Sequence, residues 1–399
     1  MNMNEFSMGL NGAQETVREI MQQPDCWGEI DDLVRACDAS IVAMIQRIAA
    51  DPKAQITLCG AGTSAYVGEI LRDTLQQWSV AQVRDVATTE IVSQPDIYFN
   101  AHSEGLLVSF ARSGSSAESL DVAEKVAQIA PNVVQLNITC NPNSPMAQST
   151  QANTYCCLMP ERTHDRSFVM TSSFSTMLLF TVQLFARALG QPQVSLAPVM
   201  DAARGLIQTL WGHPSVAALA HNDRLVYLGS NTLYGAARES ALKTLEMTAG
   251  RVVTMVESAL GFRHGPKSIA NANTGVCVFI SGMPYTQQFD CDIVNELLRD
   301  ATVANVVVVS TSAVAQRLQA SERLSVIELP AVLDETPDVL RSVLCVLVGQ
   351  MVGLKLSRVH GVGADNPCPS GEVNRVVKGV TRYPFDGQRD AHILWTRAK

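Results

Sequence analysis

Short runs of apolar, β-branched residues recur along the chain, and each ends in Gly, Ser or Thr before a stretch with helical periodicity. This pattern is typical of parallel β-strands joined by crossover helices. Three such runs occur twice in the same order. The glycines of the first two pairs and the asparagines of the third are Gly60 and Gly229, Gly105 and Gly275, and Asn132 and Asn305, which lie 169, 170 and 173 residues apart. This near-constant separation predicts two related α/β units that arose by duplication.

The predicted fold class is therefore α/β, with two tandem domains, each a doubly wound parallel sheet flanked by helices in the flavodoxin-like manner. The run Leu189–Asp201 contains Gly and two Pro residues and is the best candidate for the join. The expected segments are a helical one at 1–54, a phosphate-binding domain at 55–195, a catalytic domain at 206–357 and a Gly/Pro-rich tail at 358–399.

Composition narrows the class of partner. The chain has 399 residues, 47% of them hydrophobic, a formal net charge of -8 and no basic run, which disfavours nucleic acid and anionic membranes. Its start resembles no signal peptide, and its longest apolar segment, 342–356, is interrupted by Gln350 and falls below the roughly 18 residues that span a bilayer. We therefore expect a cytoplasmic, soluble protein.

The ten cysteines are scattered, and none forms the two-residue-spaced pair of zinc and redox sites. We interpret them as small buried hydrophobic residues. No cluster has metal-ligand spacing, so the sequence predicts no metal, and it indicates no cofactor.

Two Gly- and hydroxyl-rich loops follow predicted strands and open helices, where free N–H and O–H groups can bind an anion. The first contains Gly62, Thr63 and Ser64, and the second is the run 112–116. The candidate phosphate-binding residues of the second loop are Arg112, Ser113, Ser115 and Ser116. Alternatively, these hydroxyls only cap helices. In the second unit the equivalent loop, 281–285, contains Pro and apolar bulk, so we expect one phosphate site per chain. The glycine pattern also disfavours a nicotinamide cofactor.

Three charged residues of the second unit, Glu239, Lys243 and Glu246, share one face of a predicted helix that is otherwise small and apolar. They form either a solvated ion-pair stripe or a buried functional group. His264 lies in a Gly-Pro-flanked loop and suits ring opening near neutral pH, with His164 as the next candidate.

These residues resemble the sugar isomerase (SIS) family from about residue 15 to residue 385, including the isomerase part of glucosamine-6-phosphate synthase. The resemblance implies that Glu246 is the catalytic glutamate, that Lys243 assists it, and that His264 serves the other subunit of a homodimer with shared sites. It further implies roles for Thr171 and Ser172 at the sugar. A lysine of the tail, Lys378, corresponds to the one that meets the sugar carbonyl. Ala111 departs from the family pattern, which has serine there.

The motifs HDRSFVMTSS, GFRHGPKS and SGEVNRVVKGV are most similar to the tagatose-6-phosphate ketose/aldose isomerase subgroup, regarded as galactosamine-6-phosphate deaminases. The resemblance implies conversion of an amino-sugar 6-phosphate to a ketose 6-phosphate and ammonia. No glutaminase domain is recognisable, so we expect no nitrogen supply within the chain. Two alternatives stay open: a plain aldose/ketose isomerase, and a non-catalytic sugar-phosphate sensor.

Overall fold

Two parallel five-stranded sheets form where the apolar runs predict strands. The computed structural model describes residues 12–377 and 379–386. The first sheet has the spatial order β2-β1-β3-β4-β5, and the second has the order β10-β9-β8-β6-β7. Every neighbouring pair is parallel. Numbered from the start of each unit, both orders read 2-1-3-4-5, the flavodoxin-like arrangement, which confirms the predicted fold class.

The strands are almost entirely apolar because both faces of each sheet are covered by helices. The first sheet consists of β1 (Gln55–Cys59), β2 (Gln82–Asp85), β3 (Gly105–Ala111), β4 (Val133–Thr139) and β5 (Thr154–Leu158). The second consists of β6 (Arg224–Gly229), β7 (Val253–Glu257), β8 (Thr274–Phe279), β9 (Asn305–Thr311) and β10 (Leu324–Leu329). The three paired sequence runs thus fall on equivalent strands of the two sheets.

The helices join the strands and cover the sheets. They are α1 (Gln14–Met21), α2 (Gln23–Trp27), α3 (Ile30–Ala36), α4 (Ala39–Ala49), α5 (Thr63–Trp78), α6 (Thr88–Ser93), α7 (Pro95–Tyr98), α8 (Ala117–Ile129), α9 (Ser172–Ala188), α10 (Ala197–Thr209), α11 (Pro214–Leu219), α12 (Thr232–Met247), α13 (Pro284–Asp300), α14 (Ser312–Ala315) and α15 (Asp338–Val359). Short 3₁₀ turns cover Glu161–Thr163, Leu210–Gly212, Gly261–Arg263, Pro266–Ile269 and Ala331–Leu333.

The two units meet through α5 and α12, the first helix of each. Glycines permit the close approach of the helices here. A Cβ added at Gly235 of α12 would lie 2.7 Å from Ile70 Cγ1 of α5, and one at Gly349 of α15 would lie 2.4 Å from Ser240 Cβ of α12. Helices α5, α12 and α15 therefore form the packed centre of the molecule.

Helix α15 is longer than the apolar segment read from the sequence. It spans 22 residues and is long and apolar enough to cross a bilayer, but 94% of its most apolar window is buried inside the protein. Gln350 does not interrupt it, because the Gln350 side-chain oxygen accepts a hydrogen bond of 2.7 Å from the buried Gln23 amide. The expectation that this segment is too short to span a bilayer was wrong. Its apolar surface is instead covered by other parts of the fold.

All ten cysteines are free, and seven of them are buried, in agreement with their interpretation as small hydrophobic residues.

The tail beyond α15 returns to the first unit. Asp365 caps α1, since its carboxylate accepts hydrogen bonds from the backbone N–H groups of Glu15 (3.2 Å) and Thr16 (2.7 Å). Farther on, the guanidinium of Arg382 binds Asp121 and Glu124 on α8. The tail thus crosses the phosphate-loop side of the first sheet.

Gly114, at the centre of the second candidate phosphate loop, cannot accept a side chain. Its φ is +59°, and an added Cβ would lie 2.3 Å from Ser144 Oγ and 2.9 Å from Thr139 Oγ1. We predict that Gly114→Ala lowers the free energy of unfolding by about 1–3 kcal/mol because it combines backbone strain with overpacking. Urea denaturation measures the change.

The matched control is Gly205→Ala on α10, where an added Cβ meets nothing within 4 Å. That variant should gain about 0.5–1 kcal/mol from helix propensity. Equal stability of the two variants would contradict the structural requirement at Gly114.

Candidate functional site

The first candidate phosphate loop turns sharply between β1 and α5. Gly62, with φ +56°, precedes the first turn of α5, and a Cβ at Gly60 would lie 2.4 Å from the backbone of Ser64. Thr63 and Ser64 are both buried, with 4% exposure each. Their side chains have different surroundings: Ser64 lines a small cavity, whereas Thr63 contacts charged residues of α12.

The second candidate loop joins β3 to α8. Ser116 caps α8, since its hydroxyl accepts a hydrogen bond from the Ser119 backbone N–H (3.4 Å) and donates one to Ser119 Oγ (2.8 Å). The Ser115 hydroxyl donates to the Ser113 carbonyl at 3.1 Å. The helix-capping alternative therefore holds for Ser116, which nevertheless also faces the cavity.

Both loops border one cavity of about 110 Å³. Hydroxyl groups from the two loops converge on it, while the tail covers another side. Its lining consists of Ala61, Ser64, Phe110, Ala111, Arg112, Ser113, Ser116, Ser119, Met170, Arg375, Val376 and Val377. The two loops that the sequence singles out thus meet, together with a part of the tail that it did not single out.

Arg112 has another use than the expected one. Its guanidinium is buried and donates to the backbone carbonyls of Ser167 (3.2 Å), Phe168 (3.1 Å) and Val169 (3.2 Å), and to the Arg375 carbonyl (3.0 Å). Burial, reinforced by the positive charge of Arg375, lowers its pKa to about 10. In this structure Arg112 holds the cavity wall to the tail, which corrects the expectation that its guanidinium is simply presented to phosphate.

Next to this cavity, a buried lysine connects the two units. Lys243 of α12 has no exposed surface, and its ammonium donates to Thr63 Oγ1 at 2.9 Å and to the Glu246 carboxylate. Glu239 Oε1 lies 3.5 Å from Lys243 Nζ and accepts a hydrogen bond of 3.3 Å from Thr63 Oγ1. The shared helix face is therefore a buried group and not a solvated ion-pair stripe.

Protonation within this cluster follows from access to water. Burial raises the pKa of Glu239 to about 8 despite the opposing charge of Lys243. Burial works to lower the pKa of Lys243, but the charges of Glu239 and Glu246 outweigh it, so that this pKa is raised. The Glu246 side chain is 22% exposed. The consistent state at neutral pH is an ammonium paired with an ionised Glu246, while Glu239 carries a proton.

Thr171 and Ser172 lie at the start of α9, where the buried Asp165 binds them. The Asp165 carboxylate accepts a hydrogen bond of 2.8 Å from the Thr171 backbone N–H and another from the Ser172 hydroxyl. The Ser172 hydroxyl also accepts a hydrogen bond of 2.9 Å from the Gln22 side-chain amide. Ser172 is thus occupied by helix capping, whereas Thr171 Oγ1 is buried without a partner among the described residues.

Sequence reasoning missed Asp165 and Glu19. Glu19 is fully buried and accepts hydrogen bonds from the backbone N–H groups of Arg166 and Ser167. Burial raises its pKa to about 7. The acid shortly before the Ser/Thr-rich start of α9 is a capping signal that could have identified Asp165. No local signal relates Glu19 to a loop almost 150 residues away.

Two predicted residues are not joined to the cluster. The His264 side chain is exposed, follows the 3₁₀ turn Gly261–Arg263, and is not part of the lining of the 110 Å³ cavity. Lys378 lies outside the described residues, although Val376 and Val377 just before it line that cavity.

In the second unit, carboxylates of the chain itself occupy the equivalent loops. Gly282 N–H and Ser281 Oγ donate to Asp338 at 2.8 and 2.5 Å. Asp290 accepts from the Ser281 backbone N–H at 2.9 Å and from Ser230 Oγ at 2.5 Å. These donors are already satisfied by internal anions, consistent with a phosphate site only in the first unit.

The described ranges contain no group of three or more His, Cys, Asp and Glu side chains placed to hold a metal ion.

Comparison with known proteins agrees with this architecture. A SIS-domain profile matches residues 50–187. D-galactosamine-6-phosphate deaminase AgaS from Shewanella sp. (strain ANA-3) is 37% identical over 381 residues, covering 94% of this chain and 93% of the relative. The chain belongs to the AgaS family of SIS-domain proteins.

Solved structures also match the AgaS-family chain along most of its length. The tagatose-6-phosphate ketose/aldose isomerase from Escherichia coli has a TM-score of 0.81 and 34% identity, covering 92% of this chain and 96% of that one. A protein from Clostridium novyi NT, assigned as a tagatose-6-phosphate ketose/aldose isomerase, has a TM-score of 0.87 and 31% identity, covering 95% and 98%. The match to AgaS relatives therefore includes both sheets and not only the profiled SIS domain.

The buried acid of this AgaS-family chain makes stability depend on pH. Folding raises the pKa of Glu239 from its ordinary value near 4.5 to about 8. Its contribution is complete below about pH 4.5 and is lost as the pH rises to about 8. We predict that the wild type loses stability relative to Glu239→Gln over this interval, by about 1.4 kcal/mol for each pH unit between the two pKa values.

Urea denaturation of both proteins between pH 4.5 and 8.5 measures this difference. The control, Glu322→Gln, changes an exposed glutamate of the second unit and should keep the wild-type pH profile. A constant difference between wild type and Glu239→Gln across the interval would show that Glu239 is ionised throughout.

Proposed function

We propose that this protein is a deaminating isomerase that converts D-galactosamine 6-phosphate and water to tagatose 6-phosphate and ammonia. Relatives at 35–38% identity over most of the chain are named as D-galactosamine-6-phosphate deaminases. The similar solved structures are named for tagatose 6-phosphate, the ketose expected from this reaction. An enzyme of this kind is therefore favoured over the non-catalytic sensor.

The observation that carries the proposal is the Lys243 ammonium, which joins the first candidate phosphate loop to the glutamate of the second unit. Thr63, its partner, is the neighbour of Ser64 in the cavity lining. A sugar whose phosphate lay among Ser64, Ser113 and Ser116 would extend toward the Glu246 carboxylate. Phosphate binding and proton transfer are thus assigned to separate groups held by one buried contact.

Glu246 is the proposed base. In the open-chain aldose, the carboxylate would take the C2 proton and return it to C1, which leaves a C2 imine. Water then adds to C2 and the C2–N bond breaks, releasing ammonia and the ketose. Lys243 keeps Glu246 ionised before proton abstraction. The proton on Glu239 limits the negative charge around the same lysine.

His264 and Lys378 complete the proposed site. His264 would open the pyranose ring in the partner subunit's site, consistent with its exposed position on a loop of the second unit. Lys378 would approach the sugar carbonyl, directly after the two tail valines that line the cavity. Both assignments imply a homodimer with shared active sites. We also propose a cytoplasmic location.

A plain aldose/ketose isomerase is the second candidate, favoured by the names of the similar solved structures. It would use the same proton transfer between C2 and C1 without an amino group on the substrate.

We predict that Glu246→Gln lowers kcat for ammonia release from D-galactosamine 6-phosphate by about 10²–10⁴-fold, because the amide cannot act as the base. Affinity for tagatose 6-phosphate should change little, since other residues bind the phosphate. Ammonia and ketose phosphate are assayed in parallel, with glucosamine 6-phosphate as the stereochemical comparison.

Glu90→Gln, at an exposed position of α6, is the control and should retain full activity. Normal turnover by Glu246→Gln would remove Glu246 from the mechanism. Interconversion of tagatose 6-phosphate with an aldose phosphate, without ammonia from either amino sugar, would establish the plain isomerase instead.

Sharing of His264 between subunits has its own test. We predict that Glu246→Gln and His264→Ala are each inactive alone, and that subunit exchange between them restores activity. One site of each mixed dimer would then combine an intact glutamate with an intact histidine. Sites built within one chain would leave every site defective, so absence of restored activity after demonstrated exchange would contradict the shared arrangement.

A further inference from the structure

A second cavity, larger than the first, lies on the other side of the loop that Arg112 holds. Its volume is about 630 Å³. We call it the arginine cavity, because four guanidinium groups and one carboxylate border it. Its lining residues are Arg18, Glu161, Arg162, His164, Arg166 and Arg375. This concentration of cations is unusual for a chain whose formal net charge is -8.

Two of the four arginines are already paired with carboxylates. Arg18 binds Glu15 and approaches Glu19 at 3.3 Å, and Arg162 binds Glu29. These ion pairs hold the two side chains at the edge of the cavity. They also leave the other two arginines as the source of uncompensated positive charge.

Arg166 and Arg375 have no carboxylate partner within the described part of the chain. The Arg166 side chain is exposed, whereas the Arg375 guanidinium donates to the backbone carbonyls of Asp165 and Ser167. The Nε2 atom of His164 is buried and also has no hydrogen-bond partner among these residues. A guanidinium, a second guanidinium satisfied only by carbonyls, and an unpaired imidazole nitrogen thus border one space.

We propose that the arginine cavity binds a small dianionic oxyanion of the phosphate type, at a site separate from the one that receives the phosphate of the sugar. Such an ion matches guanidinium groups in geometry and offers acceptor oxygens to several donors at once. The carboxylate of Glu161 on the same lining disfavours larger polyanions that would reach it.

The two cavities are separated by a defined wall. The Arg112 guanidinium binds carbonyls of residues 167–169 from one side, and the Arg375 guanidinium binds the Asp165 and Ser167 carbonyls from the other. Arg375 borders both cavities. The oxyanion site is therefore a neighbour of the proposed substrate site and not its continuation.

The test is calorimetric titration of the full-length protein with inorganic phosphate at constant ionic strength. Two phosphate sites per chain are expected for the wild type. Arg166→Gln should weaken one site by at least about tenfold, as expected for loss of a charge-assisted hydrogen bond. Combined Ser113→Ala and Ser116→Ala substitution should weaken only the other. Arg162→Gln provides a second variant of the arginine cavity, with a smaller expected loss because Glu29 already pairs with Arg162.

Arg299→Gln, which removes an exposed arginine of α13, controls for the change in net charge and should leave both sites intact. One phosphate per chain, lost with the serine variants, would overturn the proposal, as would a second site insensitive to Arg166→Gln. Titration of the serine variant with tagatose 6-phosphate distinguishes the sources: tighter binding than phosphate identifies a phosphate ester, and weaker binding identifies the free ion. Because these measurements require no turnover, they remain informative if the deaminase proposal fails.

Discussion

The arrangement of the candidate site depends on one buried ammonium group. Lys243 is inaccessible to solvent and contacts the first turn of α5 through Thr63 and its own helix through Glu239 and Glu246. A buried cation is tolerated only where partners compensate its lost hydration. The two units must therefore dock with α5 and α12 in register, and the same docking brings the hydroxyl-rich loop beside the only partly exposed carboxylate of the cluster.

The tail extends this dependence to the rest of the first unit. Asp365 caps α1, and its carbonyl accepts a hydrogen bond of 2.9 Å from the Phe168 backbone N–H. Arg375 then binds carbonyls of the same loop, and its own carbonyl binds Arg112. The wall of the cavity consequently consists of segments from the start, the middle and the end of the chain. No one of them forms the wall without the others.

The sheets and the shared face of α12 were predictable because strand and helix periodicity are local properties of the sequence. The two phosphate loops were predictable for the same reason, since each directly follows a strand whose carboxyl end faces the same edge of the sheet. The role of Arg112 was not, because its partners lie 55 and 263 residues away. The length of α15 was misjudged because Gln350 appears as a polar break in the sequence, whereas the buried amide of Gln23 satisfies it in the fold.

The second unit explains why equivalent loops need not have equivalent functions. Asp338, at the start of α15, binds the Gly282 N–H and the Ser281 hydroxyl, and Asp290 joins this loop to Ser230. Burial raises the pKa of Asp290 to about 6, so the loop holds a carboxylate that water solvates poorly. The donors are satisfied internally, and α15 is fastened by its first turn. In the first unit the loop hydroxyls instead border an open cavity, so the same strand-to-helix geometry supports packing in one unit and leaves room for a ligand in the other.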